Sequence, residues 1–397
     1  MERIVVLDFG GQYNQLIARR VREAGVYSEL LPHTAPIEQI KGESLSGLIL
    51  TGGPDSVYAE GAKACDDRIF SLGVPVLGIC YGMQYIAKAF GGRIEAAPVR
   101  EYGRTPIRMT EHPLLKGLDS GIVWMNHNDS VFGMPEGFSA IAETDNCPFA
   151  AFADDGRRLY GIQFHAEVAH TPKGELIFRN FLKNICGCSC TYSPAGLADT
   201  LIAQIRAQVG EGRVLGALSG GVDSSVASVL VHNAIGDRLT CIFVDHGLLR
   251  HNEAEEVISF YRDKLNLNII KVDARERFLG KLAGVTEPEQ KRKIIGAEFV
   301  HVFEEEAKKL GGADWLLQGT IYPDVIESGT QTGATIKSHH NVGGLPADIG
   351  FKGLVEPLRM LFKDEVRALG ESLGIAHELV WRQPFPGPGL AIRVLGE

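Results

Sequence analysis

The residues best suited to chemistry fall in two separate runs. The first is Val74-Pro75-Val76-Leu77-Gly78-Ile79-Cys80-Tyr81-Gly82-Met83-Gln84. An apolar, strand-like stretch ends in G-x-C-x-G and passes directly into a helical pattern. The two glycines permit a tight strand-to-helix turn, the geometry of a nucleophile elbow, which lifts the Cys80 sulfur clear of the sheet. The turn also puts the sulfur at a helix N-terminus, where peptide dipoles favour the thiolate. A thiolate nucleophile needs a base, and the base needs a group to orient it. Gly161-Ile162-Gln163-Phe164-His165-Ala166-Glu167 offers both, because His165 and Glu167, two apart on an extended chain, point to one side. Leu50-Thr51-Gly52-Gly53-Pro54 is a glycine-rich turn after another apolar run. Its amides, with that of Tyr81, are candidates for an oxyanion hole. Alone, Cys80 reads as a small buried hydrophobe and His165 as a core histidine. Three such pieces, each at a strand end, read together as a catalytic site.

The second run is Arg213-Val214-Leu215-Gly216-Ala217-Leu218 followed by Ser219-Gly220-Gly221-Val222-Asp223-Ser224-Ser225. A strand, a glycine-rich loop and a helix start make a nest of backbone amides for an anion, reinforced by the helix dipole. The hydroxyls of Ser219, Ser224 and Ser225 add donors. Asp223 is the odd member: a carboxylate beside phosphate is repulsive unless a cation sits between them, so Asp223 is assigned to Mg²⁺. The loop lacks the lysine of G-x-x-x-x-G-K-[ST], which disfavours kinase or GTPase chemistry.

Both runs require an α/β framework, and apolar runs do alternate with helical patterns in both halves. The first half predicts strands over 3–9, 47–51, 74–79 and 159–164, with helices over 12–24, 81–90 and 173–184. The second predicts helices over 195–209, 253–264 and 288–310, strands over 213–218, 239–244, 268–272 and 314–318, and a helix from Asp223. The stretch from Gly329 to Gly353 reads as a long functional loop. Cys186-Gly187-Cys188-Ser189-Cys190 opens a small, polar stretch ending at Pro194, which reads as a linker. A zinc site there is disfavoured because no second ligand pair is suitably spaced.

Composition is consistent with this. The 397 residues are 45% hydrophobic and 22% charged, with 40 Lys plus Arg against 49 Asp plus Glu and a net charge of −9. That excludes a disordered chain, and an acidic balance argues against general nucleic-acid binding. No apolar run is long enough to span a bilayer, and the N-terminus carries no signal pattern. Seven cysteines without secretory context point to the reducing cytoplasm.

On these motifs, residues 1–187 resemble the class I glutamine amidotransferases, a flavodoxin-like fold. The resemblance implies that Cys80 attacks the side-chain amide of glutamine, with His165 and Glu167 as partners, releasing ammonia. It implies glutamine or oxyanion contacts at Gly53, Tyr81, Gln84 and the run Trp124-Met125-Asn126-His127-Asn128-Asp129. Asn126 and Asn128 stand where that family has serine and glycine, and Ala166 where it has proline. Asparagine still hydrogen-bonds and tolerates a left-handed backbone, so altered contacts are expected, with activity kept.

The loop SGGVDS resembles the pyrophosphate loop of the N-type ATP pyrophosphatases, an adenine nucleotide alpha hydrolase-like fold, here over 195–383 after a linker at 188–194. Five further runs resemble the GMP synthase family: Phe243–Arg250, Gln290–Gly296, Gln318–Ser328, Ile336–Pro346 and Glu356–Arg367. This implies adenylation of XMP by ATP and amination to GMP. ATP and Mg²⁺ would be held by Ser219, Gly220, Gly221, Val222, Asp223, Ser224 and Ser225, adenine by the Val244 backbone and pyrophosphate by Lys363. XMP phosphate would meet Arg292, although Lys291-Arg292-Lys293 reads equally as a solvated helix face. The loop 337–346, with His339 and His340, resembles a lid. Two alternatives stay open: a glutamine-dependent ligase with another acceptor, such as a deamido dinucleotide or a tRNA, or an inactive nucleotide sensor. The family is homodimeric through a third domain, which the Pro384–Val394 run resembles at its start. The expectation is therefore a first strand cut short at 384–397, exposed apolar residues there, a monomeric chain, and only partial activities, with glutamine hydrolysis kept, XMP bound weakly and GMP synthesis slight or nil. Nucleic-acid and membrane partners are not expected.

Overall fold

The computed structural model describes residues 1–327, 351–383 and 387–396. Most of the expected loop at 329–353, the lid at 337–346 with His339 and His340, and Pro384, Phe385 and Pro386 lie outside them. The chain divides into two units, Met1–Ser193 and Pro194 onward.

In the first unit, Val5, Leu7, Leu48, Leu50 and Val76 are buried in one apolar cluster, while Ile4, Val6, Ile49 and Leu77 between them are also buried. Continuous apolar runs covered on both faces are what parallel strands need. They form β1 (Arg3–Asp8), β3 (Leu45–Leu50), β4 (Val76–Ile79) and β9 (Leu159–Ile162), with β2 (Tyr27–Pro32) on the outer edge. The remaining strands are β5 (Arg93–Met109), β6 (Gly121–Gly133), β7 (Ser139–Glu143) and β8 (Ala151–Asp154). The nine-stranded order is β2-β1-β3-β4-β9-β8-β7-β5-β6. The first five strands are parallel and the rest pair antiparallel. The sheet is therefore mixed, where sequence patterning predicted a parallel one. The missed strands include the long β5–β6 ribbon, whose polar residues face solvent along much of its length.

The second sheet is wholly parallel, in the order β12-β11-β10-β13-β14. Its strands are β10 (Val214–Ala217), β11 (Leu239–Asp245), β12 (Ile269–Asp273), β13 (Trp315–Leu317) and β14 (Gly353–Val355). Val214 and Leu215 enter different clusters on opposite faces. Strand order reverses beside β10, and the crevice at such a switch point is where open parallel sheets receive ligands. The Ser219–Ser225 loop leaves β10 there.

Three local expectations are corrected. The segment 188–193 is not a free linker but packs on the first unit. Tyr192 N donates to Gly25 O at 2.8 Å, and Ser189 N and Oγ bond the Glu2 carboxylate. Lys291 is not on a solvated face: it is 4% exposed, and its Nζ bonds the carbonyls of Ala391, Val394 and Gly396. The described residues of the tail form no strand. Gly389–Ile392 is a 3₁₀ turn seated on Leu248, whose carbonyl accepts from Leu390 N at 2.8 Å, although Leu390, Val394 and Leu395 stay exposed. Among the described residues no helix is long and apolar enough to cross a membrane.

The elbow glycines serve close approach. A Cβ on Gly82 would lie 2.3 Å from Leu50 O, and one on Gly78 would lie 2.5 Å from the Gly82 backbone. We expect Gly82→Ala to destabilise the first unit by about 1–3 kcal/mol through overpacking against backbone that cannot swing aside. A lower urea midpoint with an unchanged slope would show it, and an unchanged midpoint would refute it.

Candidate active site

Strands β3, β4 and β9 are neighbours, so the runs that follow them meet at one sheet edge. Cys80 sits between β4 and the helix Tyr81–Ala89 with φ 53° and ψ −106°. Such a conformation costs a residue other than glycine about 1–3 kcal/mol and persists only where its surroundings hold it. Here Cys80 N donates to Ile162 O at 2.8 Å, and Gly82 N to Thr51 O at 3.0 Å. The positive φ thus falls on the cysteine itself, and not on Gly78 or Gly82.

His165 N donates to Trp124 O at 2.9 Å, Thr171 Oγ1 donates to His165 O at 2.6 Å, and the Tyr13 ring meets the imidazole edge-on. Its Nδ1 lies 2.7 Å from Glu167 Oε1. His165 is 5% exposed and Glu167 fully buried. Burial alone would push His165 down. Hydrogen bonds that the charged ring donates to Cys80 and Glu167 outweigh it and raise the histidine to about 10. Glu167 Oε2 has no hydrogen-bond partner among the described residues, so this buried carboxylate depends on the imidazole for its compensation.

That shift predicts a pH dependence. A histidine whose folded value lies above its ordinary 6.5 adds stability that is complete below about pH 6.5 and is lost as pH rises through about 10. Glu167→Gln removes one support of the imidazolium. We expect its urea-derived stability to fall less steeply than the wild type's between about pH 7 and 10, with glutamine hydrolysis reduced by about 10²–10⁴-fold. Parallel pH slopes would contradict the ion pair.

A pocket of about 150 Å³ opens over Cys80. Gly53, Tyr81, Gln84, Asn126, His127, Asn128 and Asp129 all line it, joined by Pro54 of the glycine-rich turn and by Asp55, Ser56 and Tyr102, which sequence reasoning missed. The side chains are not equally free. Asp129 accepts from Ser56 Oγ and, at 2.8 Å, from Tyr58 OH. Asn128 Oδ1 accepts from Tyr102 OH. Neither Asn126 nor Asn128 has a positive φ, so the left-handed allowance is unused in this ribbon. His127 is buried, with Nε2 3.1 Å from Glu101 Oε2 and Nδ1 3.0 Å from Asp129 O. Burial lowers its pKa despite Glu101.

Glu101, His127 and Cys147 form the one group of potential metal ligands found close together among the described residues. Their chemistry fits a hydrogen-bonded cluster. Glu101 accepts from Thr144 Oγ1 at 2.7 Å as well as contacting His127, and burial pushes the Cys147 thiol up to about 12. Cys186, Cys188 and Cys190 form no such group.

In the second unit, Ser219 Oγ and Ser224 Oγ lie 3.0 Å apart across the glycine turn, where Gly220 has φ +74°. Gly221 N donates to Ser219 Oγ at 3.4 Å and caps the helix that begins at Val222. The Asp223 carboxylate meets Lys363 Nζ at 2.6 and 2.7 Å, which brings together residues 140 apart. Ser225 is 1% exposed and Val244 3%, so neither side chain faces the open loop. Arg292 is exposed and paired with Glu289 at 3.1 Å. No spacing or motif points to Arg382, which bonds Gly220 O and pairs at 2.7 Å with buried Glu253, bracing the loop.

The chain is similar to known proteins over its whole length. The family profile "Glutamine amidotransferase class-I" matches residues 5–185. A curated "GMP synthase (glutamine-hydrolyzing)" of Clostridium perfringens is 60% identical over 99% of this chain and 78% of its own length. Proteins of the same name from Clostridium tetani and Bacillus mycoides are each 58% identical, over all of this chain and 78% of theirs. At 58–60% identity over all or nearly all of its residues, the chain belongs to the glutamine-hydrolysing GMP synthase family.

Proposed function

We propose that the first unit hydrolyses glutamine to ammonia and that the second adenylates XMP with ATP, the ammonia then displacing AMP to give GMP. The observation that carries the reading is the buried Cys80–His165–Glu167 arrangement on an elbow that opens into the pocket. The Cys80 thiolate attacks the glutamine amide carbon. Amides of Gly53 and Tyr81 receive the oxyanion, and the His165 imidazolium gives its proton to departing ammonia. Water, deprotonated by His165, then releases glutamate from the thioester. Asp129 offers a carboxylate for the substrate's ammonium group, and Gln84, His127, Asn126 and Asn128 shape the pocket around it.

In the second unit the amides of Gly220, Gly221 and Val222 and the hydroxyls of Ser219 and Ser224 face the β,γ-phosphates, with Lys363 as a point charge. Asp223 fits Mg²⁺, which usually takes one or two carboxylates plus substrate phosphates and would neutralise the leaving pyrophosphate. The Val244 backbone at the end of β11 would read adenine, Ser225 would support the loop from below, and Arg292 would exchange Glu289 for the XMP phosphate. Seven unpaired thiols suit the cytoplasm. The test is to supply Mg-ATP with XMP and either glutamine or ammonium, and to measure AMP and GMP. AMP and GMP formed from either nitrogen source, even slowly, support the reading. AMP formed only with a deamido dinucleotide would transfer the chain to another acceptor.

A further inference from the structure

Gln163 is fully buried and bonded at both ends of its amide. Its Nε2 lies 3.6 Å from Cys80 Sγ, and its Oε1 accepts from Gln84 Nε2 at 3.1 Å. Gln84 Nε2 also donates to Asp129 O at 2.8 Å. A backbone carbonyl can only accept, so Asp129 O decides which end of the Gln84 amide faces it. The Gln84 N–H then decides which end of Gln163 faces Gln84, and the Gln163 NH₂ is left aimed at the sulfur. A donor at the nucleophile is thus oriented by a carbonyl two side chains away. His127 Nδ1 also lies 3.0 Å from that carbonyl.

The sulfur has need of such a donor. As a thiol it donates to Asn126 O at 3.8 Å. When the proton leaves, that contact turns repulsive, because carbonyl oxygen and thiolate are both electron-rich. His165 and Gln163 oppose it, and a buried N–H bonded to an ionised acceptor is stronger than one bonded to a neutral acceptor.

We infer that Gln163 is a further catalytic residue for glutamine hydrolysis. Its amide N–H stabilises the Cys80 thiolate, and Gln84 is the positioning residue that keeps that N–H turned toward sulfur. The inference rests on the proposed role of Cys80 as nucleophile.

The test is the rate at which iodoacetamide alkylates Cys80, followed by peptide mass across pH, together with steady-state glutamine hydrolysis. The titratable groups facing the sulfur are His165, backed by Glu167, and buried Cys147, and the variants leave all three in place. In Gln163→Met the midpoint of the alkylation profile should move up by about one pH unit, with kcat lowered about tenfold and KM nearly unchanged. Gln163→Glu should move it further, because a carboxylate then faces the thiolate. Gln84→Met, which frees the Gln163 amide to turn over, should move it the same way by less. An unchanged profile in folded Gln163→Met overturns the inference. Should that variant fail to fold, an unchanged profile in Gln84→Met overturns it instead. Glutamine hydrolysis that survives Cys80→Ala would remove the nucleophile assignment, while the alkylation profile would still report separately on Gln163.

Discussion

Cys80→Ala is expected to lose glutamine-dependent GMP synthesis by about 10⁴-fold or more while synthesis from ammonium continues at the wild-type rate. The size follows from what the sulfur does. No other group at the mouth of the pocket can form the thioester, so the remaining amide donors and His165 are left without a nucleophile. Retention of ammonium-dependent activity follows from the division of the chain. The phosphate loop and Lys363 belong to the other unit, which has its own sheet and its own apolar clusters. The substitution should also spare the fold. Alanine fills almost the same volume, although it must adopt the positive φ that Cys80 already tolerates. The measurement is a pair of GMP assays, one with glutamine and one with ammonium, on protein checked by thermal melting. Loss of both activities in a folded variant would refute separate chemistry in the two units.

Asp223→Asn is expected to reduce XMP-dependent pyrophosphate release by about 10²–10³-fold with either nitrogen source, equivalent to several kcal/mol of transition-state charge stabilisation. Asparagine keeps the size and the helix start but removes the negative charge. Lys363 Nζ, which meets both carboxylate oxygens, loses its counter-ion, and the proposed Mg²⁺ loses its protein ligand. Stability should change little. The side chains of Asp223 and Lys363 are 28% and 40% exposed, and partly solvated ion pairs contribute at most about 1 kcal/mol. Glutamine hydrolysis in the first unit should be unaffected. Near-wild-type pyrophosphate release by this variant would remove Asp223 from the reaction.

Much of the candidate site was legible because its pieces are contiguous. G-x-C-x-G, His165-x-Glu167 and Ser219–Ser225 each compress a turn and its functional side chains into a few residues. The physics of each is local: a tight bend, two side chains on one side of an extended run, a row of amides ahead of a helix. The parallel strands were legible for a similar reason, as short apolar runs buried on both faces. The β5–β6 ribbon was not, since its largely exposed residues mix polar and apolar types without the apolar alternation that marks a half-buried strand. For the same reason nothing pointed to Tyr102 or Glu101, which reach the site from that ribbon.

The sequence by itself determined where the two candidate sites lie, the elbow cysteine and the glycine-rich loop that mark them, and the alternation that makes each unit α/β. It did so because covalent neighbours stay neighbours in any fold. Tertiary structure alone decided which distant groups complete those sites. It brought Lys363 onto Asp223, Arg382 onto Gly220, and Gln84 with the Asp129 carbonyl onto Gln163. It also turned Lys291 inward, from a run that reads as solvated, to hold three carbonyls of the tail. Each of these choices depends on packing across 45 to 162 residues of chain, where the cost of burying an unpaired polar group selects the partner and no spacing in the sequence records it.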